Sequence, residues 1–278
     1  MVLLFGSCAA AVRPVADARE YYAAEPHRDS TPAPSRASVF LTDGRRRRPA
    51  EPQTPRPVRR FLALAVLAFP LSIGAQTSGS ASAAPKPLVF DTALVARADS
   101  GRILGSDKAK VWVIIFSDFQ CPYCKAWHDQ VDAALRKDYV NTGKVRVAFL
   151  NFPLPMHKNA QPAADAAMCA ASQRKFWAFH DALFATQEQW AQLKDPTASF
   201  ESAGQKAGLD MTQQRACVAQ AKARVLIDAD AGRGVRAGVN STPSFFIGDT
   251  AVAGLMPAAE FTKIVDIMLA KKAGGAAK

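Results

Sequence analysis

Cysteine is scarce in this chain, with five in 278 residues. That excludes a disulfide-rich scaffold, in which several bridges replace a core. Histidine is scarcer still, at four. With no second Cys-x-x-Cys and no His pair to complete four ligands, no metal site is expected. No apolar run approaches the about 20 residues of a membrane-crossing helix. The net charge of +11 comes with no basic stripe interleaved with aromatics, so nucleic acid is not an expected partner. Gly232-x-Gly234-x-x-x-Gly238 follows a helical stretch and precedes a strand, the wrong order for a dinucleotide site. There are no internal repeats.

The basic excess is unevenly placed. Residues 1–75 hold eleven Arg and six acids, a net of +5, leaving +6 for the rest. Within this stretch Arg59-Arg60 precedes thirteen mostly apolar residues, Phe61 to Ile73, and then Gly74-Ala75-Gln76. A basic start, a short apolar middle and a small-residue exit describe a secretory signal peptide over 58–75, with cleavage after Ala75. Residues 1–57 are rich in Pro and Arg and lack sustained periodicity. They read as a disordered extension or as sequence upstream of a true start at Val58. Residues 1–75, Cys8 included, are set outside the fold, and 76–100 reads as a linker.

What is there is one compact chemical signal. Cys121-Pro122-Tyr123-Cys124 follows the apolar run Val111–Phe116 and opens a helix-patterned stretch. A strand, a tight turn and two cysteines at a helix start favour thiol–disulfide exchange. Cys121 would begin the helix, with Pro122 at its first position, and unpaired N–H groups and the helix dipole there favour a thiolate. Cys124, one turn on, would resolve the mixed disulfide. A purely structural disulfide or a zinc site involving His128 are the bland readings of the pair.

Along the chain, Val111–Phe116 suits a strand covered on both faces. A helix is expected from about Pro122 to Val140, with Tyr123, Trp127, Val131, Leu135 and Tyr139 on one face. Val145, Val147 and Phe149 suggest a second strand, and 88–105 could add an edge strand. From about 155 to 233 the pattern is helical, with helices expected near 160–172, 176–184, 199–207 and 212–236. Ser244–Ile247 and Thr250–Ala253 flank Gly248-Asp249, a hairpin signal. A last helix begins at Pro257. The fold class is therefore α/β, a thioredoxin plan over 101–278 with an inserted all-helical domain.

Four segments resemble the DsbA-like branch of the thioredoxin superfamily: Phe116 to Cys124, Pro153 to Ala160, Lys175 to Phe184 and Val239 to Gly248. The resemblance covers about 101–272. It implies a periplasmic oxidoreductase that makes or rearranges disulfides in exported proteins, with a cis Thr242–Pro243 bond facing Cys121 and Cys124. A membrane redox partner follows from it. Many thioredoxin-fold enzymes carry a buried acid six residues before the first cysteine. Here Ile115 stands there, and the nearest acid is Asp118.

Thr242, Pro243, Phe119, Pro122 and Tyr123 are the expected substrate-binding residues, Phe119 being preferred to Trp127. Pro243 is expected to leave an open backbone edge for a substrate strand. His157 is a candidate to face the site, whereas His128 and His180 read as packing residues. Cys169 and Cys217, on separate insertion helices, form a candidate structural disulfide, the alternative being two buried thiols. No cofactor is expected. The short spacer after the signal segment favours a monomer. The leading reading is net oxidation of exported proteins. An isomerase or reductase, or a non-enzymatic chaperone using the insertion, is the rival.

Overall fold

The computed structural model describes residues 91–274, which fall in one structural unit. The expected extension, the signal peptide and residues 76–90 of the expected linker lie outside the described residues. The rest of that linker is a helix. Helix α1 (Thr92–Gly101) is capped by Asp91, whose carboxylate accepts from Leu94 N–H at 2.9 Å. Leu94, Val95 and Ala98 give it a buried face, too short a pattern to stand out in the sequence.

Strand β1 (Ile103–Leu104) is a two-residue edge, followed by β2 (Val111–Ser117). Helix α2 runs through α and π segments, Pro122–Trp127, His128–Asp132, Ala133–Leu135 and Arg136–Val140. The π turns have a sequence cause. Trp127, Val131, Leu135 and Tyr139 recur at steps of four, which drift about 40° per step around an α-helix. Wider i→i+5 turns reduce that drift and keep the stripe on the core. Tyr123, assigned to the same stripe, instead lies 62% exposed beside the cysteines.

Strand β3 (Val145–Asn151) pairs parallel with β2, from Val111 opposite Val145 to Ser117 opposite Asn151. The insertion contributes α3 (Ala160–Ser172), α4 (Phe176–Ala185), α5 (Gln187–Trp190), α6 (Thr197–Lys206), α7 (Met211–Ala219) and α8 (Arg224–Arg236). The single helix expected over 212–236 is two. Ala221 takes a left-handed conformation (φ 47°), and the N–H of Lys222 reaches back to the Cys217 carbonyl at 3.2 Å. That is a Schellman-type closure made without glycine, so no breaker residue announces it.

The chain returns through β4 (Ser244–Ile247), β5 (Thr250–Ala253) and α9 (Ala258–Gly274). Gly248 supplies the positive φ of the two-residue hairpin loop. The sheet order is β1-β3-β2-β4-β5. One face packs Val113, Ile115 and Val147 against Trp127, Val131 and Leu135 of α2 and Phe261 and Val265 of α9. On another side of the sheet, Ile114, Phe116, Leu150 and Phe246 cluster. There Gly234 of α8 lets Phe152 approach closely; a Cβ would meet the Phe152 ring at 2.7 Å. A buried Arg102–Asp230 ion pair ties α8 to the sheet, and Asp230 also accepts from Asn151 N–H at 3.0 Å.

Candidate functional site

The two cysteines stand where β2 gives way to α2. Cys121 is the N-cap, in extended backbone, and Pro122 occupies the first helical position. A buried carboxylate shapes the turn before them. Asp118 accepts from Gln120 N–H at 2.7 Å, while its other oxygen takes Leu154 N–H at 2.8 Å and faces His157 Nδ1 at 2.7 Å. His157 therefore anchors the turn through Asp118. Asp118 N–H in turn points at Cys124 Sγ, 3.5 Å away.

The insertion holds the same turn from the other side. Gln187, buried on α5, donates from Nε2 to the carbonyls of Phe119 (2.7 Å) and Cys121 (3.0 Å). Gln120 accepts from Asn159 N–H at 2.6 Å and donates to the Ala191 carbonyl at 2.7 Å. The sequence reading missed Gln187 and Gln120. A single amide 66 residues beyond Cys121 carries no periodic or motif signal.

Both thiols are free, Cys121 shows little surface and Cys124 is enclosed. Their proton affinities diverge. The Cys121 thiol is lowered from 9.0 to about 6, chiefly by the hydrogen bond from the Cys124 thiol. The Thr242 side chain and the N–H groups of Cys124 and Tyr123 add to this, and burial opposes it. The start of the helix thus contributes, but Cys124 contributes more than the helix-terminus argument anticipated. Burial pushes the Cys124 thiol well above 9.0, and the Cys121 sulfur reinforces the rise. The arrangement holds a thiolate at 121 and a thiol at 124.

The Thr242–Pro243 bond is cis and brings Thr242 against this pair. Cys121 Sγ lies 3.4 Å from the Thr242 carbonyl oxygen. Thr242 Oγ1 is buried and makes no hydrogen bond among the described residues. Pro243 is buried, and its carbonyl accepts from Gly254 N–H at 2.7 Å. Pro122 and Tyr123 do face solvent.

Phe119, assigned to the substrate surface, points inward. It is 1% exposed and stacks on Phe149 (centroids 5.0 Å apart) and Phe184 (5.3 Å). With Phe176 and His180 it forms the aromatic joint between sheet and insertion. Trp127 is equally interior, against Phe245 at 5.1 Å. Cys169 and Cys217 are bonded to each other, joining α3 to α7.

Among the described residues, one group has metal-type donors: His128, Asp132, His180 and Asp181, with ligand atoms within 4.8 Å of one another. A guanidinium already occupies it. Arg136 Nη2 lies 2.5 Å from Asp132 and 2.8 Å from Asp181, and stacks over Trp177. The cluster is an internal ion-pair network in which His128 and His180 also pack on Phe184.

A family model described as thioredoxin matches residues 97–267. The chain belongs to the thioredoxin family. It is 31% identical over 160 residues to the Na(+)/H(+) antiporter NhaA 3 of Salinispora tropica, an alignment covering 57% of this chain and 23% of that protein. It is 33% identical over 95 residues to disulfide bond formation protein D of Bacillus subtilis, covering 32% of this chain and 42% of that one. The chain thus spans less than half the length of either relative. The crystal structure of Wolbachia pipientis alpha-DsbA1 superposes with a TM-score of 0.57 at 23% identity, covering 63% of this chain and 94% of that one. This likeness establishes the thioredoxin-like fold, of α/β class.

Proposed function

We propose that this member of the thioredoxin family is a thiol:disulfide oxidoreductase that introduces disulfides into exported proteins. In the oxidised form, a substrate thiolate attacks Cys121 Sγ and the Cys121–Cys124 bond breaks. Cys124 leaves as a thiolate and takes a proton. A second substrate thiolate attacks the substrate sulfur of the mixed disulfide and expels Cys121 as the thiolate that its surroundings favour. The substrate gains one disulfide, and two electrons remain on the dithiol. A membrane redox partner would accept them.

The divergence of the two thiols carries this reading: the Cys121 thiol is lowered to about 6 while the Cys124 thiol is raised. A thiolate stabilised only in the reduced form makes the disulfide the better oxidant. The name of the Bacillus subtilis relative supports the same direction. Pro122 and Tyr123, exposed beside Cys121, would meet the substrate, with Thr242 and Pro243 shaping the floor. The signal-peptide pattern over 58–75 supports a periplasmic site of action.

The test incubates the oxidised chain with a reduced, unfolded protein containing two cysteines and counts thiols. The proposal expects two substrate thiols lost for each chain reduced, and none with Cys121→Ser. Equal oxidation by Cys121→Ser would defeat it.

A further inference from the structure

The helical insertion bears a half-open cavity of about 620 Å3 between α3, α6 and α7. This lies within the about 300–1,000 Å3 typical of small-molecule sites. Neither Cys121, Cys124, Thr242 nor Pro243 lines it. Its walls are apolar, formed by Pro162, Ala166, Phe200, Met211 and Val218. Val218 stays 38% exposed there. An apolar concavity with a few polar groups at its rim has the form of a small-molecule site.

The polar groups at the cavity divide cleanly. Arg215 is paired with Glu201 at 3.4 Å, and Asp195 accepts from Thr197 N–H at 3.0 Å. Gln214 donates to the Ala166 carbonyl at 2.8 Å, and the Asn159 amide to that of Leu193 at 2.9 Å. Lys158 and Lys194 remain, both exposed and neither ion-paired among the described residues. The cavity thus offers an apolar interior and two uncommitted positive charges.

We infer that it binds an amphipathic carboxylate, with an alkyl chain on the Phe200, Met211 and Val218 walls and the carboxylate at Lys158 and Lys194. Sugars and nucleotides would leave their polar groups unpaired against these walls. A cationic amphiphile would meet a rim of net positive charge, Lys158, Lys194 and Arg215 outnumbering Asp195 and Glu201. The inference is independent of the redox function proposed above.

The experiment is calorimetric titration of the purified chain with octanoate, decanoate and dodecanoate, each below its micelle concentration. One saturable site is expected, tightening by up to about fourfold per added methylene. Dodecanol and dodecyltrimethylammonium should bind about two- to tenfold more weakly than dodecanoate, lacking the contact with two exposed ammonium groups. Val218→Asp, at an exposed position that leaves the fold intact, should weaken dodecanoate at least about tenfold by placing a charge on the apolar wall. Replacing both lysines (Lys158→Glu, Lys194→Glu) should weaken dodecanoate but not dodecanol. Absence of saturable binding by all three acids would overturn the inference. So would equal binding of dodecanol and dodecanoate, or unchanged binding by Val218→Asp.

Discussion

Replacing Cys124 with alanine removes the donor that contributes most to the low pKa of Cys121. A hydrogen bond to a charged group is worth about 1.5–3 kcal/mol, or about one to two pKa units. Cys121 should therefore move from about 6 to about 7–8 in Cys124→Ala. At pH 6.5 the thiolate fraction would fall from about three quarters to between about a quarter and a thirtieth. The rate of iodoacetamide alkylation of Cys121, followed by mass spectrometry from pH 4 to 10, reads this directly. In the reduced wild-type chain the rate should rise through about pH 6. In Cys124→Ala the midpoint should shift upward and the rate at pH 6.5 drop by about three- to twenty-five-fold. Cys124→Ser, which keeps a hydroxyl donor, should fall between. An unchanged midpoint in Cys124→Ala would refute the reasoning and return the thiolate to the helix terminus alone.

Three further outcomes follow from packing. Removing the Cys169–Cys217 bond by a double alanine substitution opens a loop of sequence separation 48 and should cost about 4 kcal/mol in denaturant unfolding, with exchange activity retained in the folded protein. Phe119→Ala should destabilise by about 3–5 kcal/mol, because the ring fills the aromatic joint between sheet and insertion. Substrate affinity measured on the folded fraction should stay unchanged, whereas a substrate-facing Phe119 would weaken binding without loss of stability. Asp230→Ala removes one of the two carboxylates on the buried Arg102 guanidinium, Asp99 remaining, and should cost about 1.5–3 kcal/mol in the same assay, where a loss under about 0.5 kcal/mol would contradict the role of the pair.

The parts of the fold that could be read from the sequence are those where one residue pattern has one physical meaning. The β-branched run Val111–Phe116 could only be a covered strand. Gly248-Asp249 between two apolar tetrads could only be a hairpin. Cys121 and Cys124 could be placed at a helix start from Pro122 and the stripe that follows. Phe119 did not announce its direction. An apolar side chain beside an active turn serves a core or a substrate surface equally well, and the insertion ring system decides between them. Helix α1 hid in a stretch of low contrast, and the Ala221 closure hid for want of glycine. Gln187 lay beyond reach altogether, because its role exists only once α5 is folded against the turn. The same holds for Asp118, whose place near the strand end was legible but whose four-way anchoring of Gln120, Leu154, His157 and Cys124 was not.

The central claim is that the reduced pair is stabilised as a thiolate at 121 beside a thiol at 124. Because the charged form is the one stabilised, the gain is complete above pH 9, shrinks as pH falls and is gone below about 6. Redox titration of the Cys121–Cys124 couple against glutathione at pH 7 tests this most directly. The account predicts a potential between about −120 and −180 mV, in the range of disulfide-forming and isomerising proteins. A potential near about −270 mV, that of a reductant, would contradict it.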